Sequence, residues 1–414
     1  MKVFKFGGAS VNSVERIKNV AQLIKRYADG PLLVVISAMG KTTNALEDVV
    51  QLFYKKDNAG ALQAFERLKQ EHLALAGSLH ISPNKLADFF TEVEWLLHDK
   101  PVRAYDYYYD QVVCIGELLS TAIISEFLNA QAIDNTWLDV RDVMRTDNTF
   151  RDAQIDWNIT AEKTNELIIP TFSKAHVVVT QGFIGATDEN ESTTLGREGS
   201  DYTAAVFANL LNAESQTIWK DVQGVLNADP KLYQKAQWIK NLNYREVIEM
   251  AFYGAQVIHP KTIKPLQNKG IPLHVKSFLD PDAVGTIIQN SNSLQLPPII
   301  VYKKAQALVQ LSSKDFSFVG EGLTATVYKI FEDLKWEPNL TQNGAITLLC
   351  VVDDGDKVEP FALTASEAFD IQVTRGLSLL TIRHYNAEIL DELTAGKTIL
   401  LRQQTAETIQ LLMQ

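Results

Sequence analysis

Val3-Phe4-Lys5-Phe6-Gly7-Gly8-Ala9-Ser10 opens the chain, and its reading decides the fold. A short apolar run stops at two glycines, the pattern of a buried strand entering a turn. From about Ser13, the residues Val14, Ile17, Val20, Ala21 and Ile24 recur at helical spacing, until Asp29-Gly30-Pro31 ends the helix. Leu32-Leu33-Val34-Val35-Ile36 is then apolar at every position, as in a strand covered on both faces. Strand, helix and strand in that order predict a parallel sheet with a right-handed crossover.

The same texture continues. Residues 45–126 read as mostly helical, 175–183 as a buried strand, 201–212 as a helix and 216–220 as a strand. A helix over 243–252 and a strand over 271–275 complete one α/β domain ending near Ile288. Asn290-Ser291-Asn292-Ser293 and Pro297-Pro298 mark a polar boundary. Beyond it the spacing predicts strands at 307–311, 346–352, 371–374 and 377–382, with helices at 323–334 and 359–369. This mix of strands and helices is read as the ferredoxin-like, split-βαβ class. A brief helix over 386–393, a strand over 398–402 and a helix over 405–413 are expected to close the chain.

The 414 residues are 46% hydrophobic and 21% charged, enough for a large core in two or three domains. A net charge of -11 argues against a general nucleic-acid or membrane-surface role. Cys114 and Cys350 lie in apolar surroundings and form neither a disulfide framework nor a metal spacing. With no signal peptide or membrane anchor evident, a cytoplasmic protein is expected.

Several junctions carry chemistry. Two glycines after a buried strand let backbone N–H groups approach phosphate oxygens, and Lys5 alternates with Val3, so it faces inward and requires an anion. This is neither a Walker loop nor a dinucleotide fingerprint. Gly196-Arg197-Glu198-Gly199-Ser200-Asp201 precedes a helix and sets an arginine fork beside acids; Ser200 and Asp201 also suit plain N-caps. Trp219-Lys220-Asp221 leads from a strand into a loop through Leu226 to Asp229-Pro230-Lys231. Tyr253-Gly254-Ala255-Gln256 runs on to His259-Pro260, where the histidine reads as a turn residue more readily than as a catalyst. Ser37 to Asn44 follows a strand, and Gly116-Glu117 lies in a helix.

Taken together, these segments resemble the aspartokinases of the amino acid kinase family. The matching motifs are Lys-Phe-Gly-Gly-Ala-Ser at 5–10, Ser37 to Thr43-Asn44, Gly116-Glu117, Thr180-Gln181-Gly182-Phe183, Gly199-Ser200-Asp201-Tyr202, Asp221 to Asp229-Pro230, and Gly254-Ala255 to His259-Pro260. They run in order over residues 1–288, and the remainder resembles the ACT regulatory modules of that family.

The resemblance implies a catalytic domain over 1–290, a parallel-rich sheet sandwiched by helices, and a smaller α+β regulatory region. An ACT-like module is expected over 299–376. The 38 residues of 377–414 fall short of the ~45 that four strands and two helices need, so a truncated second module is expected, unless Ile299–Tyr302 completes it. Weak feedback by lysine or threonine follows as an expectation.

By the same resemblance, ATP carrying Mg²⁺ phosphorylates the side chain of L-aspartate, with no protein metal site. Lys5 bridges the transferring phosphate and Asp201 orients Lys5. Gly7, Gly8 and Ser10 cradle the phosphates. Arg197 grips the substrate's α-carboxylate and Glu117 its ammonium. Ser37, Thr43, Phe183 and Ser200 complete the amino-acid pocket, and Lys220, Asp221, Leu226, Lys231 and Gln256 serve the nucleotide. A homodimer through the C-terminal region is implied.

Three positions depart from the family pattern: Glu198 stands where glycine is common, Lys220 where threonine is, and Gln256 where lysine is. The alternatives are a glutamate or nucleotide kinase of the same fold, or a non-catalytic amino-acid sensor built on it. Arg197, Glu117 and Phe183 favour an α-amino acid, and Lys5 with Asp201 favours catalysis.

Overall fold

A computed structural model describes residues 1–291 and 295–414. Asn292 and Ser293 of the expected boundary lie outside the described residues. The chain divides into two compact units. The first comprises Met1–Val225, Trp238–Ile248 and Val257–Leu294, and the second Leu226–Gln237, Glu249–Gln256 and Gln295–Gln414.

In the first unit, the opening strand, Lys2–Phe6, lies between Leu32–Ile36 and Ser215–Lys220 and is parallel to both. The eight strands run in spatial order Asn241–Leu242, Thr286–Ile288, Leu273–Ser277, Ser215–Lys220, Lys2–Phe6, Leu32–Ile36, Val177–Gln181, Asn135–Leu138. Only Leu273–Ser277 and Thr286–Ile288 pair antiparallel. The chain winds outward from the first strand in both directions, so ligand-binding loops collect at the carboxyl ends of the central strands.

Alternation on the first strand explains its two faces. Phe4 and Phe6 pack against Trp219, while Val3 and Lys5 point the other way. Ser13 caps the first helix, Val14–Lys25, by accepting from Arg16 N–H, and Ile17, Val20, Ala21 and Ile24 are buried as their spacing predicted. Residues Tyr105–Ala130 are long and apolar enough to cross a bilayer, but 83% of the most apolar window is buried inside the protein. This is a core element, and it carries the buried acids Asp110 and Glu117. The strand Asn135–Leu138 was not foreseen; it has only four residues at the sheet edge, three of them partly exposed.

The second unit holds a six-stranded antiparallel sheet in the order Leu340–Asn343, Thr347–Asp353, Ile299–Ser313, Phe369–Arg383, Thr408–Met413, Ile399–Gln404. The expected strands 371–374 and 377–382 are one element of 15 residues, broken only by Gly376 at φ 72°. Its partner, Ile299–Ser313, is equally long, with register shifts between Lys303 and Leu308. Each long strand therefore serves two cores. Val309 and Leu311 pack with Phe331 and Phe361 in one, and Ile300 packs with Ile382, Ile409 and Leu411 in the other.

The helix expected over 405–413 is instead the strand Thr408–Met413. All six residues are buried; Ile409, Leu411 and Met413 join one core and Leu412 another. Thr408 and Gln410 are buried along with their apolar neighbours, so burial here does not follow side-chain polarity, and a six-residue segment is too short for its period to separate strand from helix. Both cysteines are buried and free, as expected.

Candidate active site

Three strand ends and a helix start supply the site. Lys5 is the next-to-last residue of the first strand, Ser37 follows the second, Phe183 lies just past Val177–Gln181, and Ser200 and Asp201 occupy the first turn of the helix Gly199–Leu210. These residues, with Thr43, Glu117 and Arg197, line one cavity of about 400 Å³. Sequence reading had placed all eight at the reacting centre or the amino-acid pocket. Tyr109, Arg151 and Thr194 complete the wall and were missed; Gly196, Glu198 and Gly199, part of the junction singled out in the sequence but given no individual role, also line it.

At the floor, Lys5 Nζ lies 2.6 Å from Asp201 Oδ1, and both side chains are largely buried. A buried pair of this kind holds the ammonium where an anionic ligand can meet it, without leaving a charge unpaired in the cavity wall.

Glu117 is fully buried. Its Oε1 accepts the Ala38 N–H at 3.2 Å, and its Oε2 has no hydrogen-bonding partner among the described residues. Burial pushes this carboxyl up to about 8, against the opposing pull of the Ala38 N–H and the Lys5 charge. An orphaned carboxylate oxygen in a cavity wall is an acceptor awaiting a cationic donor.

Close approach requires glycine at two points. A β-carbon on Gly182 would lie 2.5 Å from the Ser200 Cβ, so glycine lets the strand end meet the helix start. A β-carbon on Gly8 would lie 2.5 Å from the Ala38 carbonyl oxygen; as built, Gly8 O accepts the Gly40 N–H at 3.0 Å. Gly8→Ala is expected to cost about 1–3 kcal/mol by overpacking, checked by the denaturation midpoint, with loss of turnover from the displaced loop.

The helix beginning at Gly199 is preceded by Glu198 in left-handed backbone, φ 55°. Neither Ser200 nor Asp201 is its N-cap, correcting that reading: both lie inside the first turn, which frees their side chains for the cavity. Glu198 Oε2 accepts the His259 N–H at 2.8 Å, and His259 Nδ1 in turn accepts from Lys261 N–H at the start of the helix Pro260–Lys269. His259 is thus a capping residue, and Glu198 ties the mouth of the cavity to that helix. Arg197 is exposed at the same mouth and forms no ion pair among the described residues.

The other expected nucleotide ligands do not line this cavity. Gly7 adjoins it, since a β-carbon there would lie 3.4 Å from Lys5 Nζ. Ser10 is buried and donates its hydroxyl to Gly7 O at 2.5 Å, bracing the loop. Lys220 Nζ donates to Val257 O at 3.0 Å, and Asp221 is exposed at the end of its strand. Leu226, Lys231 and Gln256 belong to the second unit, where Lys231 lines a separate cavity of about 260 Å³ with Tyr233, Tyr302 and Lys304.

The cavity therefore presents an inward lysine held by a carboxylate, a helix start, arginines and a buried glutamate with one oxygen unpartnered among the described residues. Such a set can bind a small zwitterion with an extra carboxylate next to transferring phosphate. Comparison with known proteins agrees. The sequence profile of the amino acid kinase family matches residues 1–277. Lysine-sensitive aspartokinase 3 of Escherichia coli is 31% identical over 398 residues, covering 92% of this chain and 86% of its own. Aspartokinase 1, chloroplastic, of Arabidopsis thaliana is 31% identical over 366 residues, covering 85% of this chain but only 63% of that longer protein. The crystal structure of E. coli aspartokinase III in complex with aspartate and ADP, in its R-state, superposes with a TM-score of 0.83 at 27% identity, covering 100% of this chain and 96% of that one. With a profile spanning the first 277 residues and relatives matched across most of its length, the chain belongs to the amino acid kinase family, among the aspartokinases.

Proposed function

We propose that the chain transfers the γ-phosphoryl group of ATP to the side-chain carboxylate of L-aspartate, giving 4-phospho-L-aspartate, the opening step of lysine, methionine and threonine biosynthesis. The observation that carries this reading is the cavity itself, where the paired Lys5 and the orphaned Glu117 oxygen share one wall system.

Chemically, the acceptor asks little of the protein. A side-chain carboxylate with a pKa of ~3.9 is ionised at neutral pH and needs no general base. The task is to align two anions and offset their repulsion. Lys5, oriented by Asp201, bridges the transferring phosphate. Gly7, Gly8 and Ser10 shape the loop that receives the phosphates. Arg197 takes the α-carboxylate with a two-pronged bond and Glu117 takes the ammonium; Ser37, Thr43, Phe183 and Ser200 fit the rest. Mg²⁺ rides on the nucleotide and neutralises charge between its phosphates.

Asp221, Leu226, Lys231 and Gln256 serve the nucleotide in this reading, with Lys220 supplying the cation that Gln256 lacks. The Lys220 ammonium bonds the carbonyl of Val257, the residue after Gln256. Lys220→Thr is expected to raise the KM for ATP by about tenfold, the worth of one charged hydrogen bond; an unchanged KM for ATP overturns that assignment.

The chain is read as a catalytic segment over 1–290 with ACT-like modules over 299–376 and 377–414, the last drawing its remaining strand from Ile299–Lys303. The sheet edges at Leu340–Asn343 and Ile399–Gln404 suit pairing between chains, so a cytoplasmic homodimer is proposed. ADP release tested with aspartate, glutamate and nucleoside monophosphates in turn checks the substrate. Release with aspartate alone supports the reading; release only with another acceptor refutes it.

A further inference from the structure

We infer that Arg151 is a second guanidinium of the acceptor site and binds a carboxylate of the amino acid. This inference rests on the aspartate kinase reading and deepens it.

Arg151 lines the same cavity as Arg197, Glu117 and Lys5. It does so from a backbone with φ 71°, a left-handed conformation that is strained for a residue with a β-carbon. The surrounding structure holds it there. The buried carboxylate of Asp110 accepts the Arg151 N–H at 3.0 Å, the Thr194 N–H at 2.8 Å and the Thr194 hydroxyl at 2.8 Å. Thr194 is itself part of the cavity wall, so Asp110 fixes the turn and the wall together.

The side chain is steered as well. Its guanidinium lies 4.2 Å from the centre of the Tyr109 ring, another lining residue, and its two terminal nitrogens meet Glu47 at 3.2 Å and Asp106 at 3.4 Å. Those two contacts engage two of the five N–H donors of an arginine fork, and the rest remain for a ligand. Glycine would occupy this backbone without strain, yet the chain places there a charged fork that lines a site for an amino acid with two carboxylates.

Arg151→Gly tests the inference, because glycine suits φ 71° and keeps the turn. The expected result is a KM for aspartate raised about tenfold or more, since a charged hydrogen-bonding pair is lost. The rise in KM should exceed any fall in kcat, with the KM for ATP within about twofold of the parent. Arg151→Lys, which keeps charge but not the fork, is expected to lie between the two. An unchanged KM for aspartate in Arg151→Gly overturns the inference. So does an equal rise in both KM values with a lowered thermal midpoint, the mark of a merely structural role. The parent enzyme separates this failure from that of the underlying reading: if it releases no ADP with aspartate, the activity assignment falls first.

Discussion

Lys5→Met is expected to lower kcat on the order of 10³-fold or more, the scale at which a cation on the transferring phosphoryl group acts. The same substitution strands Asp201 in a buried cavity without its partner at 2.6 Å. Removing one member of a buried pair costs about 3–5 kcal/mol, so the variant should also unfold earlier in denaturant. The two effects separate in the double variant Lys5→Met/Asp201→Leu. Apolar replacement of both partners restores most of the stability, while turnover stays lost. If Lys5→Met retained kcat within tenfold of the parent, Lys5 would be a structural lysine and the phosphate would have to be sought elsewhere.

The second large effect concerns Glu117. With its carboxyl pushed up to about 8 by burial, it is mostly protonated in the free enzyme at pH 7. An ammonium group is matched only by the ionised form. Aspartate binding below pH 8 should therefore release a proton, and the KM for aspartate should fall as pH rises toward 8, by at most tenfold per pH unit. Glu117→Gln should raise the KM for aspartate about tenfold at pH 8, as a charged hydrogen bond becomes a neutral one, and flatten the pH profile. The sign for stability runs the other way. A carboxyl whose folded pKa exceeds its ordinary value of 4.5 favours folding fully below pH 4.5, and that contribution is lost as pH rises to about 8. Hence Glu117→Gln should match the parent near pH 4.5 and exceed it in denaturation midpoint at pH 8. Initial rates at three pH values and paired melts check both halves.

Much of this frame is legible in residues alone. Leu32–Ile36 and Val177–Gln181 announce buried strands because nothing polar interrupts them until their ends, and the ends are where Ser37, Gly182 and Phe183 stand. Lys5 is conspicuous as a charge inside the apolar run Val3–Phe6. Other features leave no local mark. Thr408–Met413 buries Thr408 and Gln410 along with its apolar residues, and Leu411-Leu412-Met413 breaks the alternation that Thr408-Ile409-Gln410 begins, so the strand was hidden. Phe369–Arg383 looked like two elements because Arg375-Gly376 carries a turn signal that the long strand absorbs with one left-handed residue. Arg151 and Tyr109 were missed for a different reason. They reach the cavity through tertiary packing, fixed by Asp110 and Thr194, and a positive φ at an arginine cannot be read from its neighbours. Glu198 was visible as an odd residue in a glycine position, but its bond to the His259 N–H, 61 residues away, was not.

The most direct test of the central claim is to trap the product. An acyl phosphate on the aspartate side chain reacts with hydroxylamine to give a hydroxamate, which a phosphate ester does not. Incubation of the full chain with ATP, Mg²⁺, L-aspartate and hydroxylamine should yield aspartyl hydroxamate in step with ADP. ADP release without hydroxamate, or hydroxamate formed from glutamate and not from aspartate, would contradict the account.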